Sequence, residues 1–326
     1  DATLGGARRR GVPQSSQLHN VLGRAQLHLD ALFPGWRRLL EARGCSVGRV
    51  SRDTDVCEFG RRMPRRDLGF DILSAPRGTI DAVLAELVSA EIVTSARGVA
   101  PMRTGGVCTG VVVESPTGAR RLDADLVVDC AGPAALGAGW LASTGRPEPV
   151  SETKVDQWYA SVRVVPGSDD DLPPFSMAFP VPPDITVGAL MSPTGDGSYT
   201  LSVNGRSRDP IPKTAADLAV LAGNLGTPAI AARLAGGRAE LPLAVFHRVV
   251  TSWRHFERCA GVHGLVALGD SIAALNPLYG QGMSVAAWQA ARLAELAWSS
   301  DAWQETFAAA ASEIVAQAWS LGAVVE

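Results

Sequence analysis

The stretch that decides the fold spans residues 264–287 and reads GLVALGDSIAALNPLYGQGMSVAA. It opens with the apolar residues 265–268, a run whose length and flanking glycines are typical of a buried strand. Gly269 ends this run, and Asp270 then places one acidic side chain at the carboxyl end of the predicted strand. A carboxylate in that position can accept hydrogen bonds from sugar hydroxyls.

A turn and the start of a helix follow the predicted strand. Pro277 fixes one backbone φ angle, and Gly280 and Gly282 lack a Cβ, so the backbone here can approach a flat ring closely. Residues 283–298 then show a long alanine-rich helical pattern. Because the first N–H groups of a helix and its dipole favour negative charge, the pattern predicts a site for an electron-rich, partly anionic ligand.

Residues 268–283 resemble the second FAD motif of flavin-dependent monooxygenases of the aromatic-hydroxylase superfamily, and are most similar to the flavin epoxidases of polyether and polyketide biosynthesis. In that superfamily the aspartate holds the ribityl chain of FAD, and the glycine-rich helix start faces the pyrimidine side of the isoalloxazine ring. The resemblance implies that FAD is bound by Gly269, Asp270, Pro277, Gly280, Gln281, Gly282 and Met283. The alternative is an ordinary strand–turn–helix without a ligand, which the length of the match disfavours.

The loop at residues 11–14, Gly-Val-Pro-Gln, resembles a segment that passes near FAD in the same superfamily. Gln14 and His19 match that segment, whereas Ser16 and Gln17 stand where the superfamily often has arginine and histidine. Gln14 is therefore a candidate FAD-binding residue. His19 is either functional or simply a residue at the start of a helix.

Two further segments carry weaker matches. Arg77, at the start of a predicted helix, matches an arginine that lies near the flavin, although a surface arginine explains it equally well. Residues 125–132 predict a buried strand ended by Gly132, and they resemble a segment in which aromatic hydroxylases carry Asp-Gly. Ala131 and Pro133 flank Gly132 here, so the tight turn is kept while its polar neighbours differ. A purely structural strand end is the alternative.

Composition limits the possible functions. With 326 residues, 46% of them hydrophobic and 19% charged, the chain can bury a sizeable core. Its net charge of −3 gives no electrostatic argument for binding nucleic acid or an anionic membrane. The five cysteines show neither a CxxC pair nor metal-ligand spacing, and no run of 18 apolar residues occurs. We therefore predict a cytoplasmic protein without a bound metal or a stable membrane anchor, and leave its oligomeric state open.

The predicted fold class is α/β (α+β). We expect a Rossmann-like FAD-binding domain, formed by residues 1–48, 75–148 and 258–326, that ends in C-terminal helices. An inserted, mostly antiparallel β-sheet domain for the substrate is expected at residues 49–74 and 149–257, where alternating strands are separated by proline, glycine and aspartate. A suitable Gly-x-Gly-x-x-Gly is absent. We therefore expect the chain to lack the first βαβ unit of the FAD-binding domain and a C-terminal helical tail.

The resemblance implies an FAD-dependent monooxygenase that is reduced by NAD(P)H. Such an enzyme inserts one oxygen atom from O2, through a flavin hydroperoxide, into a small apolar polyketide-like or aromatic substrate by epoxidation or hydroxylation. The flavin carries the chemistry, so no catalytic side chain is predicted. Candidates for the wall of the substrate pocket are Trp158, Tyr159, Phe175, Met177, Met191 and Tyr279. Each of them is more often plain core than substrate contact. The alternative function is a degenerate flavoprotein that acts as a non-redox cyclase or ligand-binding protein.

Overall fold

The structure is a computed structural model that describes residues 13–134, 136–143, 151–167, 171–181, 183–259 and 261–323. Residues 11 and 12 of the predicted Gly-Val-Pro-Gln loop lie outside the described residues, as do short segments around the start of the predicted substrate domain. No described helix is both long enough and apolar enough to cross a lipid bilayer.

The described residues contain helices and strands in mixed order. The strands are β1 (Leu18–Val21), β2 (Ser46–Arg49), β3 (Thr54–Glu58), β4 (Arg61–Arg62), β5 (Asp71–Pro76), β6 (Arg97–Thr104), β7 (Val107–Ser115), β8 (Gly118–Asp123), β9 (Val127–Asp129), β10 (Ser151–Val165), β11 (Phe175–Ala178), β12 (Gly188–Pro193), β13 (Tyr199–Arg206), β14 (Arg238–Arg254), β15 (Leu265–Ala267) and β16 (Ala273–Ala274). The helices are α1 (Gly23–Leu32), α2 (Trp36–Ala42), α3 (Arg77–Leu87), α4 (Leu136–Ser143), α5 (Ala215–Gly223), α6 (Pro228–Gly236), α7 (Gly282–Leu296) and α8 (Trp303–Ala323).

An eight-stranded sheet with the order β16-β14-β10-β13-β12-β11-β3-β4 forms the largest layer. Its long central strands pair antiparallel, as the alternating sequence predicts. The pairing of β11 with β3 is parallel, an exception within the mostly antiparallel sheet that the sequence predicts. The two strands come from distant parts of the chain, so no tight hairpin forces them to run in opposite directions.

One face of this sheet is covered by α5 and α6. Leu218 and Ile230 from these helices are fully buried against Trp158, Met191 and Leu201 of the sheet. A capping box at Thr214 and Asp217 starts α5, because each residue satisfies a backbone N–H of the other. Because α5 and α6 cover one face of the sheet, only its other face can pack towards the rest of the molecule.

A second, smaller group of elements surrounds the C-terminal helices. The strand β15 is buried along its length and pairs parallel with β9, in the parallel arrangement expected of a Rossmann-like domain. The helices α7 and α8 pack against it around Phe307. The strand β9 is less buried than predicted, since Val128 is 39% exposed. Val128 is exposed because it points away from the core that α7 and α8 form around Phe307.

The N-terminal elements complete the same half of the molecule. The strands β1, β5 and β2 form a three-stranded antiparallel sheet that packs against α1, α2 and α3 around Trp36 and Leu73, both fully buried. The predicted hairpin of β7 and β8 is present and pairs Ser115 with Gly118 at its turn. The domain boundaries predicted from the sequence stay a prediction.

Candidate functional site

Asp270 lies in a single 3-10 turn, Gly269–Ser271, directly after β15. Gly269 makes this turn possible, because its φ of +64° is one that other residues rarely adopt. The backbone N–H of Gly269 donates to Oε1 of Gln289 on α7 at 2.8 Å, and Nε2 of Gln289 donates to the Ala311 carbonyl on α8 at 3.3 Å. Gln289 is fully buried, so the two helices fix the turn that presents Asp270.

A second turn, after β9, is tied to the first by a buried carboxylate. The backbone N–H of Gly132 donates to Ser271 Oγ at 2.9 Å, and Ser271 Oγ lies 3.4 Å from Oδ1 of Asp129. Asp129 also accepts hydrogen bonds from the backbone N–H groups of Ala131 at 3.0 Å and Gly137 at 2.8 Å. Asp129 therefore links the ends of both parallel strands to the start of α4.

Arg254 links these turns to the eight-stranded sheet. Its Nη1 donates to the Ser271 carbonyl at 3.1 Å, and its Nη2 donates to the Pro133 carbonyl at 2.7 Å. Arg254 is the last residue of β14, whose pairing with β16 joins the sheet to the chain just after Asp270. The guanidinium satisfies carbonyl groups that the turns would otherwise leave without partners.

Two glycines form a shallow cradle beside Asp270. A Cβ added to Gly132 would lie 3.8 Å from the Asp270 Cβ, and one added to Gly282 would lie 3.8 Å from Asp270 Oδ1. Larger side chains at either position would cover the carboxylate. Gly280, with φ of +62°, ends the turn Pro277–Tyr279 just before α7, and a Cβ there would lie 3.6 Å from Leu22. Gly280 therefore ends this turn without a side chain, directly before the amino end of α7.

The electrostatics single out Asp270. The carboxylate is exposed to solvent, yet protein surrounds it on most sides, as expected on the floor of a concave surface. The resulting desolvation raises the pKa of Asp270, and the nearby positive charge of Arg77 opposes that rise. Arg77 begins α3, where its Nε donates to Asp81 at 2.8 Å and its backbone N–H donates to the Gln17 carbonyl at 2.9 Å. Burial, and secondly Arg77, lowers the pKa of His19 on β1.

These groups fit the ribityl and ring portions of a flavin. Asp270 offers a carboxylate that can accept from hydroxyl groups, and α7 offers its amino end, whose first turn contains no acidic residue. Gly132 and Gly282 leave room at the carboxylate, where a Cβ would otherwise stand. The arrangement can therefore hold a polyhydroxy chain next to a flat, electron-rich ring.

Three other residues predicted to bind FAD, Gln281, Met283 and Gln14, differ in where their side chains lie. Gln281 is the N-cap residue of α7 but makes no side-chain capping bond, so its amide is not used to start the helix. Met283 packs into the core between α7 and the N-terminal helices. Gln14 has an exposed side chain in the 3-10 turn Pro13–Ser16. The structure thus brings Gly269, Gly132, Gly282 and Arg77 to Asp270, but turns Met283 away from it.

The predicted pocket wall divides between the two faces of the eight-stranded sheet. Trp158 and Met191 lie in the core against α5 and α6 and cannot line a pocket on the other side. Tyr159, as the next residue on β10, points to the opposite face, and the sheet register places Met177 on that face too. Tyr159 is close enough to Tyr279 for an electrostatic interaction between the two phenols.

Phe175 lies on the same sheet face as Tyr159 but packs against Gly48 of β2. It is fully buried and packs so closely over Gly48 that a Cβ there would lie 2.5 Å from its ring. Two contacts attach the same face to β1 and the loop before it: Ser161 Oγ donates to Gln17 Oε1 at 2.5 Å, and Asn20 Nδ2 donates to Ser192 Oγ at 3.2 Å. This face of the sheet therefore looks towards the half that holds Asp270.

Sequence reasoning missed the polar residues that hold the site in place, namely Asp129, Arg254, Ser271 and Gln289. For Asp129 a signal was present, because an acidic residue directly after a short apolar run lies at a strand end, where turns need acceptors. Gln289 gave a weaker signal, as a polar residue among alanines on an otherwise apolar helix.

One known protein is similar in sequence to most of the chain. No family model matches the chain. Protein Rv3254 of Mycobacterium tuberculosis (strain ATCC 25618 / H37Rv) is 27% identical over 308 residues, which cover 88% of this chain and 64% of that protein. The chain therefore spans less than two thirds of the length of this relative.

Solved structures of flavin-dependent enzymes superpose on most of the chain. PqsL, described as a probable FAD-dependent monooxygenase from Pseudomonas aeruginosa, has a TM-score of 0.63 at 19% identity and covers 98% of this chain and 85% of its own. The flavin-dependent brominase Bmp2 has a TM-score of 0.63 at 14% identity, with 92% and 70% covered. The oxygenase of 2-methyl-3-hydroxypyridine-5-carboxylic acid has a TM-score of 0.60 at 14% identity, with 92% and 77% covered.

The chain has the fold of flavin-dependent monooxygenases. The predicted α/β fold class, with a Rossmann-like part and a mostly antiparallel sheet, is thereby confirmed. At these identities the similarity concerns the fold, so the activity has to be argued from the residues of this chain.

Proposed function

We propose that this chain binds FAD and belongs to an FAD-dependent monooxygenase that takes electrons from NAD(P)H and inserts one oxygen atom of O2 into a small organic substrate by epoxidation or hydroxylation. The observation that carries the proposal is the cradle at Asp270. In it, a desolvated carboxylate, two glycines and the amino end of α7 come together in a fold shared with flavin-dependent monooxygenases.

Each residue of the cradle has a separate task in this proposal. Asp270 would accept hydrogen bonds from the ribityl hydroxyls of bound FAD, and Gly132 and Gly282 would let the cofactor approach. The first backbone N–H groups of α7 would favour an electron-rich part of the ring, and the positive charge of Arg77 lowers the pKa of Asp270 against the effect of burial. Bound FAD would supply the redox chemistry and the activation of oxygen.

The sheet face that carries Tyr159 and Met177 forms the opposite wall of the proposed site. It is fastened to the cofactor half through Ser161 and Ser192, so a substrate held between the two halves is shielded from water. Exclusion of water strengthens every polar interaction in such a site and limits side reactions. An aromatic or polyketide-like substrate of modest size suits this position.

Flavin binding tests the proposal directly. The purified protein is titrated with FAD, FMN and riboflavin, and binding is followed through flavin fluorescence. Asp270→Ala should weaken binding by roughly 10- to 150-fold, because a hydrogen bond to a charged group contributes about 1.5–3 kcal/mol. Asp125→Asn, which changes an exposed carboxylate before β9, serves as the control and should leave binding unchanged.

Oxidation of NAD(P)H coupled to oxygen uptake then tests the reaction. Candidate substrates should stimulate both rates in the flavin-loaded protein. A correctly folded protein that binds none of the three flavins would rule the proposal out. Conversion of a ligand that continues without oxygen, with the flavin kept oxidised, would instead support a non-redox cyclase.

A further inference from the structure

On β10, two buried polar atoms that face the proposed site have no hydrogen-bond partner among the described residues. They are Oε1 of Gln157 and the hydroxyl oxygen of Tyr159. Gln157 is only 6% exposed, so bulk solvent does not reach its oxygen. By contrast, Ser161 on the same strand face has a partner in Gln17. Thr54 Oγ1, farther along the same sheet face, also lacks a partner, but Gln157 and Tyr159 are the two such residues that lie side by side on one strand.

Gln157 and Tyr159 point to the same side of the sheet. They are two residues apart on β10, so their Cα atoms are separated by roughly 6.5–7 Å along the strand. Tyr159 interacts with Tyr279, which closes the turn that leads into α7. The strand β16, at the edge of the same sheet, continues into that turn. The pair thus lies where the substrate sheet meets the candidate cofactor loop.

The two side chains are uncharged, and their hydrogen-bonding abilities are complementary. Burial, and secondly Tyr279, raises the pKa of Tyr159 well above its usual value, so the phenol stays protonated and can donate or accept. Oε1 of Gln157 can only accept. Leaving both atoms buried without partners costs free energy, which a ligand that bonds to both would recover.

The pair suits an uncharged hydroxyl better than an anion. Arg206 stands opposite Gln157 in the pairing of β10 with β13, but a carboxylate placed at Gln157 would meet the lone pairs of Oε1. An alcohol or phenol hydroxyl avoids that repulsion, because it can donate to Gln157 and accept from Tyr159.

We propose that Gln157 and Tyr159 bind one uncharged hydroxyl group of the substrate, so that the substrate class is a phenol or hydroxylated polyketide rather than a hydrocarbon. This inference rests on the proposed function and refines it, since the sequence alone predicted an apolar pocket. Both residues act as binding and positioning groups and take no part in the redox step.

Matched ligand pairs test the inference. The flavin-loaded protein is titrated calorimetrically with aromatic compounds that differ by one hydroxyl, such as 2-naphthol and naphthalene, and with 2-naphthoate as the anionic member. The hydroxylated member should bind about tenfold or more tightly than the hydrocarbon, as expected for one or two new hydrogen bonds. Tyr159→Phe and Gln157→Leu should each reduce that ratio towards one.

Further measurements separate binding from a structural role and from the proposed function. Tyr159→Phe should leave the melting temperature unchanged or raise it, because it removes a buried hydroxyl that has no partner among the described residues. Tyr199→Phe, in the core on the other face, is the matched control and should keep the ligand preference. Flavin affinity, measured separately, should not change in either site variant.

Three results would overturn the inference: no preference for the hydroxylated member of any pair, a preference that survives both substitutions, or tighter binding of the anion. Loss of flavin binding with the hydroxyl preference intact would count against the proposed function and in favour of this pair as a ligand site.

Discussion

Replacing Asp129 with asparagine tests whether the site depends on one buried carboxylate. Asp129 is 5% exposed and accepts hydrogen bonds from the backbone N–H groups of Ala131 and Gly137, and it also lies beside the Ser271 hydroxyl. Asparagine has nearly the same shape but offers one acceptor oxygen in place of two. Its NH2 group must face one of the two backbone N–H donors, or the side chain must rotate away from both.

The expected cost follows from this geometry. One buried backbone donor loses its partner, which costs about 1–3 kcal/mol, and the remaining bond loses its charge assistance, which adds about 1 kcal/mol. The sum of these two costs is a fall of about 2–4 kcal/mol in the free energy of unfolding. Because Ser271 holds the N–H of Gly132 beside Asp270, flavin affinity should fall as well.

Urea unfolding followed by tryptophan fluorescence measures the first effect, and titration with FAD measures the second. Circular dichroism shows whether the variant keeps its fold. Asp125→Asn is the control, since this carboxylate is exposed four residues earlier and its loss should change stability by less than about 0.5 kcal/mol. If Asp129→Asn and Asp125→Asn unfold at the same urea concentration, Asp129 does not hold the two turns as described.

Three more predictions concern particular side chains. Gly205→Ala places a Cβ 2.4 Å from the ring of buried Trp158 and should destabilise the protein by about 1–3 kcal/mol. Gly223→Ala is the control, because its added Cβ meets nothing within 4 Å and should not destabilise the protein. Equal thermal stability of the two variants would contradict this packing. Asp270→Asn should raise the free energy of unfolding at pH 7, because the native pKa of Asp270 is raised and its charge destabilises the fold above that pKa. This gain in stability should shrink as the pH falls towards 3.8. A gain that does not change with pH would refute this assignment of the Asp270 pKa. The lowered native pKa of His19 means that the unfolded chain binds its proton more readily, so stability should fall as pH drops below 6.5, and His19→Gln should flatten that slope in acid unfolding curves.

The sequence predicted the local elements around the site well because each carries its own signal. The start of α3 at Arg77 agrees with the helix start that the sequence predicts there. The start of α7 follows from Gly280 and Gly282, and the strand before Asp270 follows from its apolar run. These features depend on residues close together in the chain, where backbone preferences and hydrophobic period are sufficient.

Long-range features could not be obtained in that way. The contact between Ser271 and Asp129 joins residues 142 positions apart, and the parallel pairing of β3 with β11 joins segments more than 100 residues apart. The pocket prediction failed to separate Trp158 from Tyr159, although adjacent residues on a strand must point to opposite faces. Since both faces of this sheet are buried, hydrophobicity alone could not tell which face meets the cofactor half.

The turns beside Asp270 and the pair Gln157–Tyr159 differ in how their polar groups are satisfied, and this difference supports the proposed division of labour between a cofactor site and a substrate site. Around Asp270 the turns are held before any ligand arrives, because Gln289, Arg254 and Asp129 already bind the backbone groups that would otherwise move. A cofactor that stays bound through many turnovers benefits from such a rigid cradle, since little ordering remains to oppose its binding. On the sheet face, Gln157 and Tyr159 keep polar atoms without partners among the described residues, and a substrate that comes and goes can bond to them only while it is present. A site built the other way round would hold its substrate tightly and release its cofactor, which is the opposite of what the proposed flavin enzyme requires.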